Sequence, residues 1–349
     1  MVNSIIGAKN GRGAVTASPP SSAPTVSRVR VDEGSDGQRL DNFLIKLLKG
    51  VPKTHVYRVI RSGEVRVNKG RAAADTRLTL GDEVRVPPVR TSEHAAVPGD
   101  EVPAPAREFP IVFEDECLLA VDKPAGVAVH GGSGLRHGVL EQLRRARPEA
   151  NYLELVHRLD KETSGLLLIA KKRSALLALQ EQFRQRETGK TYSALVLGAW
   201  PPSKKVIDVA LHKFLSTEGE RRVRTVDADN ADGRRSITLV KVVQAYTRYT
   251  LLDVTIKTGR THQIRVHLLH EGHAIVGDDK YGDFDANRAL ARGTAIPGLR
   301  FERMFLHARR LKFLHPASGE VIELHSPLPA ECAALLQVLP LAATVSPSP

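Results

Sequence analysis

The sequence predicts an α+β protein in two parts. A small basic α/β module comes first, then a large domain whose mixed, mostly antiparallel sheet is flanked by helices. Three observations carry this reading. Residues 88–106 hold four prolines, mixed charge and no hydrophobic period, the pattern of a linker. The strands and helices beyond it lack the regular strand–helix–strand rhythm of a parallel sheet. Leu166-Leu167-Leu168-Ile169-Ala170 is an unbroken apolar run, suited to a strand buried on both faces. The organisation expected is a disordered tail over 1–34, the module over 35–90, a linker over 91–106, the large domain over 107–340 and a second tail over 341–349.

At 349 residues the chain has room for one large domain and one small one. Its 51 Lys and Arg against 39 Asp and Glu leave a net charge of +12, which favours a polyanionic partner, nucleic acid above all. Cys117 and Cys332 match no paired metal or disulfide spacing, which fits a reduced, cytoplasmic setting. No apolar run approaches the roughly 20 residues that span a bilayer, so no membrane role is expected. Residues 1–31 contain no Asp or Glu and could be a transit segment, but Pro19-Pro20 and Pro24 interrupt any amphipathic helix there.

In the module, Leu40, Phe43, Leu44, Leu47 and Leu48 make one helical face, and Gly50 ends that helix. Pro52 opens a second helix with Val56, Val59 and Ile60 on its apolar side and Gly63 as its stop. Short strands follow at Val65-Arg66-Val67, Leu78-Thr79-Leu80 and Val84-Arg85-Val86, separated by turns at Asn68-Lys69-Gly70 and Gly81-Asp82. This segment holds half of the chain's cationic excess. Lys46, Lys49, Lys53, Arg58 and Arg61 sit on and between the two helices, where they suit a phosphate backbone, although a solvated basic face would look the same. The strings Arg39-Leu40-Asp41-Asn42-Phe43-Leu44, 57–68 and Gly81-Asp82-Glu83-Val84 resemble the small RNA-binding module of ribosomal protein S-four. That resemblance implies binding to structured RNA.

The large domain opens with a buried strand, Leu118-Leu119-Ala120-Val121, ending in the turn Asp122-Lys123-Pro124-Ala125-Gly126. His130-Gly131-Gly132-Ser133-Gly134 could present N–H groups to a phosphate or be a plain loop. Residues 138–146 and 173–187 have helical spacing. Between them, His157-Arg158-Leu159-Asp160-Lys161-Glu162 places five ionisable groups at the mouth of the apolar run, with Thr163-Ser164-Gly165 to turn the chain. Asp160 is therefore a candidate reactive acid, partly desolvated and held on a rigid element. It would equally suit a turn cap paired with Arg158.

Residues 190–198 read as a strand with Tyr192 near its start, where packing in the core is the commoner fate of a strand tyrosine. Residues 203–235 read as a hairpin or insertion, and 236–243 and 247–257 as adjacent strands in which Leu252, Val254 and Ile256 share a face. Lys257-Thr258-Gly259-Arg260-Thr261 then places Arg260 at a strand-to-helix junction, with Thr261 as N-cap and Gly272 as stop of a helix over 262–271. Residues 306–314 and 321–324 form a last hairpin. His262, His267, His270 and His273 contain no i, i+4 zinc pair around a glutamate, so they read as a charged, exposed helix face with no metal. No phosphate-binding loop, dinucleotide fingerprint or nucleophile elbow is present, and no cofactor is expected. A carboxylate acting on RNA without metal suits glycosidic-bond chemistry better than phosphodiester cleavage.

The stretch 157–168 resembles the signature of the RluA/RluD family of pseudouridine synthases. The likeness continues through Val121-Asp122-Lys123-Pro124, Lys190-Thr191-Tyr192 and Thr258-Gly259-Arg260-Thr261-His262-Gln263-Ile264-Arg265-Val266-His267. With 130–134 and Gly277-Asp278-Asp279-Lys280-Tyr281-Gly282 it is closest to the RluC-like branch. The resemblance implies a monomeric isomerase that turns uridine into pseudouridine in large-subunit (23S) ribosomal RNA or a pre-ribosomal particle. By the same resemblance Asp160 is the catalytic aspartate, and Tyr192 stacks on the target base and helps remove its carbon-five proton. Arg260 ion-pairs with the aspartate, and Arg158 enters the RNA stack where the base leaves. The aspartate could attack the sugar, attack the base or take a sugar proton. The competing function is a non-catalytic RNA-binding or ribosome-assembly factor on the same scaffold.

Overall fold

Apolar stripes of two short helices make the core of the N-terminal module. The chain is described here from a computed structural model, over residues 25–48, 50–89, 104–131, 137–217 and 219–342. It divides into two units, Met1–Asp100 and Glu101–Pro349. The first contains β1 (Ser27–Arg30), α1 (Leu40–Leu47), α2 (Lys53–Arg61), β2 (Arg66–Val67), β3 (Gly70–Arg71) and β4 (Glu83–Val86). Its sheet has the antiparallel order β1-β4-β2-β3. Leu40, Phe43 and Leu44 pack with Val56, Val59 and Ile60 over Val65, Leu78, Val84 and Val86.

Two expectations for this region need correction. Residues 27–34 are not tail: β1 pairs with β4, and Val29 and Val31, two apart, turn to the same core. Leu78-Thr79-Leu80 is not a strand, because Leu78 bonds Gln38 and Gly37 across a loop while Leu80 stays exposed. Residues 1–24, Lys49, the linker from 90 to 103 and the tail from 343 lie outside the described residues.

The second unit runs β5 (Ile111–Glu114), β6 (Leu118–Lys123), α3 (Val139–Ala146), β7 (Glu154–Leu155), β8 (Ser164–Ala170), α4 (Arg173–Gln185) and β9 (Gly189–Leu197). It continues through β10 (Val206–Asp208), β11 (Ala210–Leu215), β12 (Arg221–Val226), β13 (Ile237–Ala245), β14 (Tyr249–Ile256), α5 (Gln263–His270) and α6 (Phe284–Arg292). It closes with β15 (Leu306–Leu314), β16 (Val321–His325) and α7 (Ala330–Val338). One sheet has the order β10-β13-β14-β9-β15-β8-β6-β5, with β7 beside β8 and β16 beside β15. Among the described residues its one parallel pair is β8 with β15; the rest are antiparallel, as the mixed α+β reading expected.

The apolar run in β8 follows from two cores. Leu167 and Ile169 face the side covered by α3 and α5, while Leu166, Leu168 and Ala170 face the side covered by α4. Gly165 is required where β8 meets β15: its φ is +108°, and a Cβ there would lie 2.4 Å from the Ala308 carbonyl oxygen. The ribbon β11–β12 accounts for the expected hairpin and packs through Leu211 and Val223 on Val266 and Tyr281. No helix of the described residues is long and apolar enough to cross a membrane.

Candidate active site

Asp160 lies in the turn that feeds β8, closed by the Thr163 N–H on the Asp160 carbonyl at 3.2 Å. The turn is held from the end of β6. Lys123 is fully buried, and its Nζ donates to the carbonyls of Pro124 (2.8 Å), Val127 (2.7 Å) and Lys161 (3.0 Å). The Gly126 N–H donates to the same Lys161 carbonyl at 3.0 Å. Burial lowers the Lys123 pKa to about 7 against the opposing charge of Glu162. One lysine thus ties two loops together behind the carboxylate.

The expected partner of Asp160 is not the one found. Arg265, 4% exposed, puts Nη1 3.6 Å from Asp160 Oδ2, whereas Arg260 is exposed and makes no ion pair with Asp160. The cause is local backbone geometry. His262, not Thr261, precedes α5, and it adopts a left-handed φ of 53°. Gln263 Oε1 accepts from the Thr258 hydroxyl (2.7 Å) and the Arg260 N–H (3.1 Å), which locks the junction and turns the Arg260 side chain outward. Two residues on, Arg265 sits in a stretch of α5 buried over 263–268. Asp278, fully buried, accepts from Arg265 Nε at 2.7 Å and Nη2 at 2.6 Å. Burial opposes the Arg265 charge, but Asp278, Asp160 and Asp279 outweigh it and hold its pKa above the ordinary value. The missed signal was an arginine between Ile264 and Val266 at the start of a helix, followed by an Asp in Gly277-Asp278.

His262 is a further group that sequence reasoning left on an exposed face. Its Nε2 is 3.9 Å from Asp160 Oδ2, and its Nδ1 is 2.9 Å from the Tyr281 hydroxyl. That hydroxyl also accepts the Val223 N–H at 3.0 Å, which leaves its own proton free to go to Nδ1; in that tautomer the imidazole proton faces Asp160. Burial lowers the His262 pKa, with Asp160 opposing. Arg265 and His262 both approach Oδ2 of Asp160, which also lines the cavity beside them.

That cavity, about 740 Å³, is lined by Asp160, Tyr192, Arg158, Arg260, Lys190, Lys213 and the stacked pair His157 and Phe183. Tyr192 is 8% exposed. Burial, then the Asp160 charge, raises its pKa, so the resting side chain is the neutral phenol. Arg158 is exposed at the rim and also lines the adjoining hollow of about 730 Å³ with Asp160 and His262. In the first unit Lys46, Lys53, Arg58 and Arg61 are all exposed.

The histidines do not form the exposed face expected of them. His267 is buried, bonded through Nδ1 to Thr238 Oγ1 (2.9 Å) and through Nε2 to the Val209 carbonyl (3.1 Å), and His273 meets the Leu197 carbonyl at 2.8 Å. Among the described residues, metal-ligand types converge at Asp115, Cys117 and His315. There His315 Nδ1 accepts the Ser318 N–H at 3.1 Å, which leaves its proton on Nε2, 2.6 Å from Asp115. That arrangement straps two hairpins together and does not suit a ligand nitrogen, which must point a lone pair at the metal.

Comparison with known proteins agrees with the site. Residues 117–270 match the family model for RNA pseudouridylate synthase, and 38–84 match the S4 domain. "Ribosomal large subunit pseudouridine synthase C" of Haemophilus influenzae is 47% identical over 317 residues, covering 90% of this chain and 95% of the relative. The protein of that name from Escherichia coli K12 is 48% identical over 307 residues, covering 87% and 94%. Among solved structures, human RNA pseudouridylate synthase domain containing 1 aligns with a TM-score of 0.54 at 27% identity, over 70% of this chain and 94% of that one. Human domain containing 4 aligns at 0.53 and 27%, over 65% and 91%. The chain belongs to the RNA pseudouridylate synthase family and carries an S4 domain at its N-terminal end.

Proposed function

We propose that this chain converts selected uridines of large-subunit ribosomal RNA to pseudouridine, with Asp160 as the catalytic residue. The observation that carries the reading is Asp160 lining the cavity, with Arg265 on its Oδ2 and Tyr192 lining the same space. The names of the relatives support the choice of RNA. The reaction breaks the bond from N1 to the ribose carbon and makes a new one from carbon five. Carbon five loses a proton and N1 gains one, so atoms and electrons balance without a co-reactant. The carboxylate works at the sugar or base while the cavity holds the freed uracil for its turn. Extracting the uridine costs a few kcal/mol, and the guanidinium of Arg158 at the rim is placed to fill the gap in the stack.

Tyr192 offers a ring face and a hydroxyl donor to the base. Lys46, Lys53, Arg58 and Arg61 give the S4 domain phosphate contacts that hold RNA without reading its sequence. In this reading the enzyme works in the cytoplasm, on its ribosomal RNA substrate. The test is pseudouridine mapping on an unmodified large-subunit RNA transcript treated with purified protein. Wild type should modify discrete uridines, and Asp160→Asn should lower the rate by roughly a thousandfold or more with RNA affinity within about threefold. Pseudouridine made at an undiminished rate by Asp160→Asn, or none made by wild type, would overturn the reading.

A further inference from the structure

Buried cations around the cleft are matched by partners, with one exception. Lys123 bonds three carbonyls, and Arg265 meets Asp278, Asp160 and Asp279. Lys190 is 8% exposed, yet among the described residues no carboxylate or carbonyl bonds its ammonium. What lies against it is the face of Phe183, with Nζ 4.9 Å from the ring centroid. Phe183 stacks in turn on His157 at 4.9 Å, whose pKa falls to about 4 through burial and then the Lys190 charge. Burial lowers the Lys190 pKa as well. The ammonium therefore keeps its only solvent contact while its stem is buried, a partly desolvated charge with no anion beside it among the described residues, and a ligand in the cavity can supply one.

Its position says which charge. Lys190 and Tyr192 are two apart on β9, so they face the same side, about 6.7 Å from each other along the strand. Both line the 740 Å³ cavity, which has room for a whole nucleotide rather than a bare uracil. If Tyr192 takes the base, the group one nucleotide step away is backbone phosphate. A base carbonyl could accept a hydrogen bond from Lys190, but only a phosphate also neutralises it.

We propose that Lys190 is an anion-binding residue for the phosphodiester next to the flipped uridine, and that its charge is matched only when that nucleotide is seated. The inference rests on the reading that a flipped uridine occupies this cavity. Lys190→Met keeps the aliphatic packing on Phe183 and removes the charge, while Lys190→Arg keeps a charge. The experiment is single-turnover pseudouridine formation on an unmodified large-subunit RNA transcript over a series of KCl concentrations, with equilibrium binding of the same transcript measured in parallel.

For Lys190→Met the half-saturating enzyme concentration should rise about tenfold. The slope of log affinity against log salt should fall by about one unit, with the saturating rate within about threefold. Lys190→Arg should recover most of the affinity, and the Tm of Lys190→Met should hold or rise because a partly desolvated charge without an anion is gone. An unchanged salt slope in Lys190→Met, or a loss confined to the saturating rate, would overturn the subsite. Wild-type protein that makes no pseudouridine would instead overturn the functional reading, and the binding slope would then judge the subsite by itself.

Discussion

The turn before β8 and the junction before α5 bring Asp160, His262 and Arg265 together, and they are held in different ways. In the first, a buried ammonium gathers backbone carbonyls, and the residue that matters, Asp160, is in the middle of the turn itself. In the second, the Gln263 side-chain amide and one left-handed residue, His262, set the path, and the residue that matters, Arg265, lies beyond the turn inside a buried helix. A turn clamped through its backbone presents its own side chains. A turn clamped by a kink decides which later side chain points inward.

The two arginines of the second segment give the largest test of that difference. Arg265→Lys cannot bridge Asp278 and Asp160 as a planar guanidinium does, and Arg265→Met leaves two carboxylates facing a gap. Breaking a buried pair from one side costs about 3–5 kcal/mol, so Arg265→Met should lower the urea midpoint sharply and abolish single-turnover activity. Arg265→Lys should fold with a smaller loss and stay well below wild-type rate. Arg260→Ala should change stability by no more than about 0.5 kcal/mol, with an activity loss under about tenfold that shrinks as salt rises. If Arg260→Ala is the more damaging substitution, the inward and outward assignments are reversed.

Each segment also carries a glycine, and the pair should respond unequally. Gly165→Ala drives a Cβ to 2.4 Å from the Ala308 carbonyl oxygen at a φ of +108°, which should cost about 2–3 kcal/mol. At Gly259 a Cβ meets nothing within 4 Å and φ is not positive, so Gly259→Ala should lie within about 0.5 kcal/mol of wild type. Chemical denaturation of the two variants decides this, and equal losses would mean the second turn is as constrained as the first.

Asp160 was legible in the sequence because its chemistry is local: ionisable neighbours, a turn triplet and a core strand stand in one continuous stretch. The helix face of the S4 domain was legible for the same reason, through its helical period, whereas Tyr192 read from its strand alone as a core residue and stood out only through the family resemblance. Arg265 was not, because its partner Asp278 is thirteen residues away and the choice between Arg260 and Arg265 depends on the φ of His262, which no periodicity reports. The strand at 27–30 was hidden by its flanks, since Ser and Pro before it mask two alternating valines. The burial of His267 was hidden by its polarity, and it becomes clear only when Thr238 and the Val209 carbonyl arrive from other strands.

The backbone clamp should also make the first turn sensitive to pH above neutrality. Lys123 has a folded pKa of about 7, below the roughly 10.4 of an unfolded lysine. Between those values the unfolded chain binds more protons than the folded one, so stability should rise with pH from 7 toward 10, by at most about 1.4 kcal/mol per pH unit. The contribution is complete above the unfolded pKa and is lost as pH falls through 7. Lys123→Met should have a flatter profile between pH 7 and 9 than wild type, whatever its absolute stability. Parallel profiles would show that the ammonium does not titrate there.

A last test lies where the second segment packs on the β11–β12 ribbon. Tyr281→Phe keeps the ring 5.0 Å from the Arg265 guanidinium carbon but leaves the Val223 N–H unpaired and removes the donor to His262 Nδ1. The loss of stability should be about 1–2 kcal/mol. Without that donor the neutral imidazole is less favoured, so the His262 pKa moves up from its lowered value. The charges facing it are Asp160 and Asp278 on one side and Arg265 and Lys280 on the other. The variant should therefore take up a proton at higher pH than wild type, and the acid limb of its single-turnover rate should shift upward. At neutral pH the rate should fall by less than about tenfold. An acid limb identical to wild type would mean that Tyr281 anchors the ribbon by packing with Leu211, Val223 and Val266 and has no hold on the group beside Asp160.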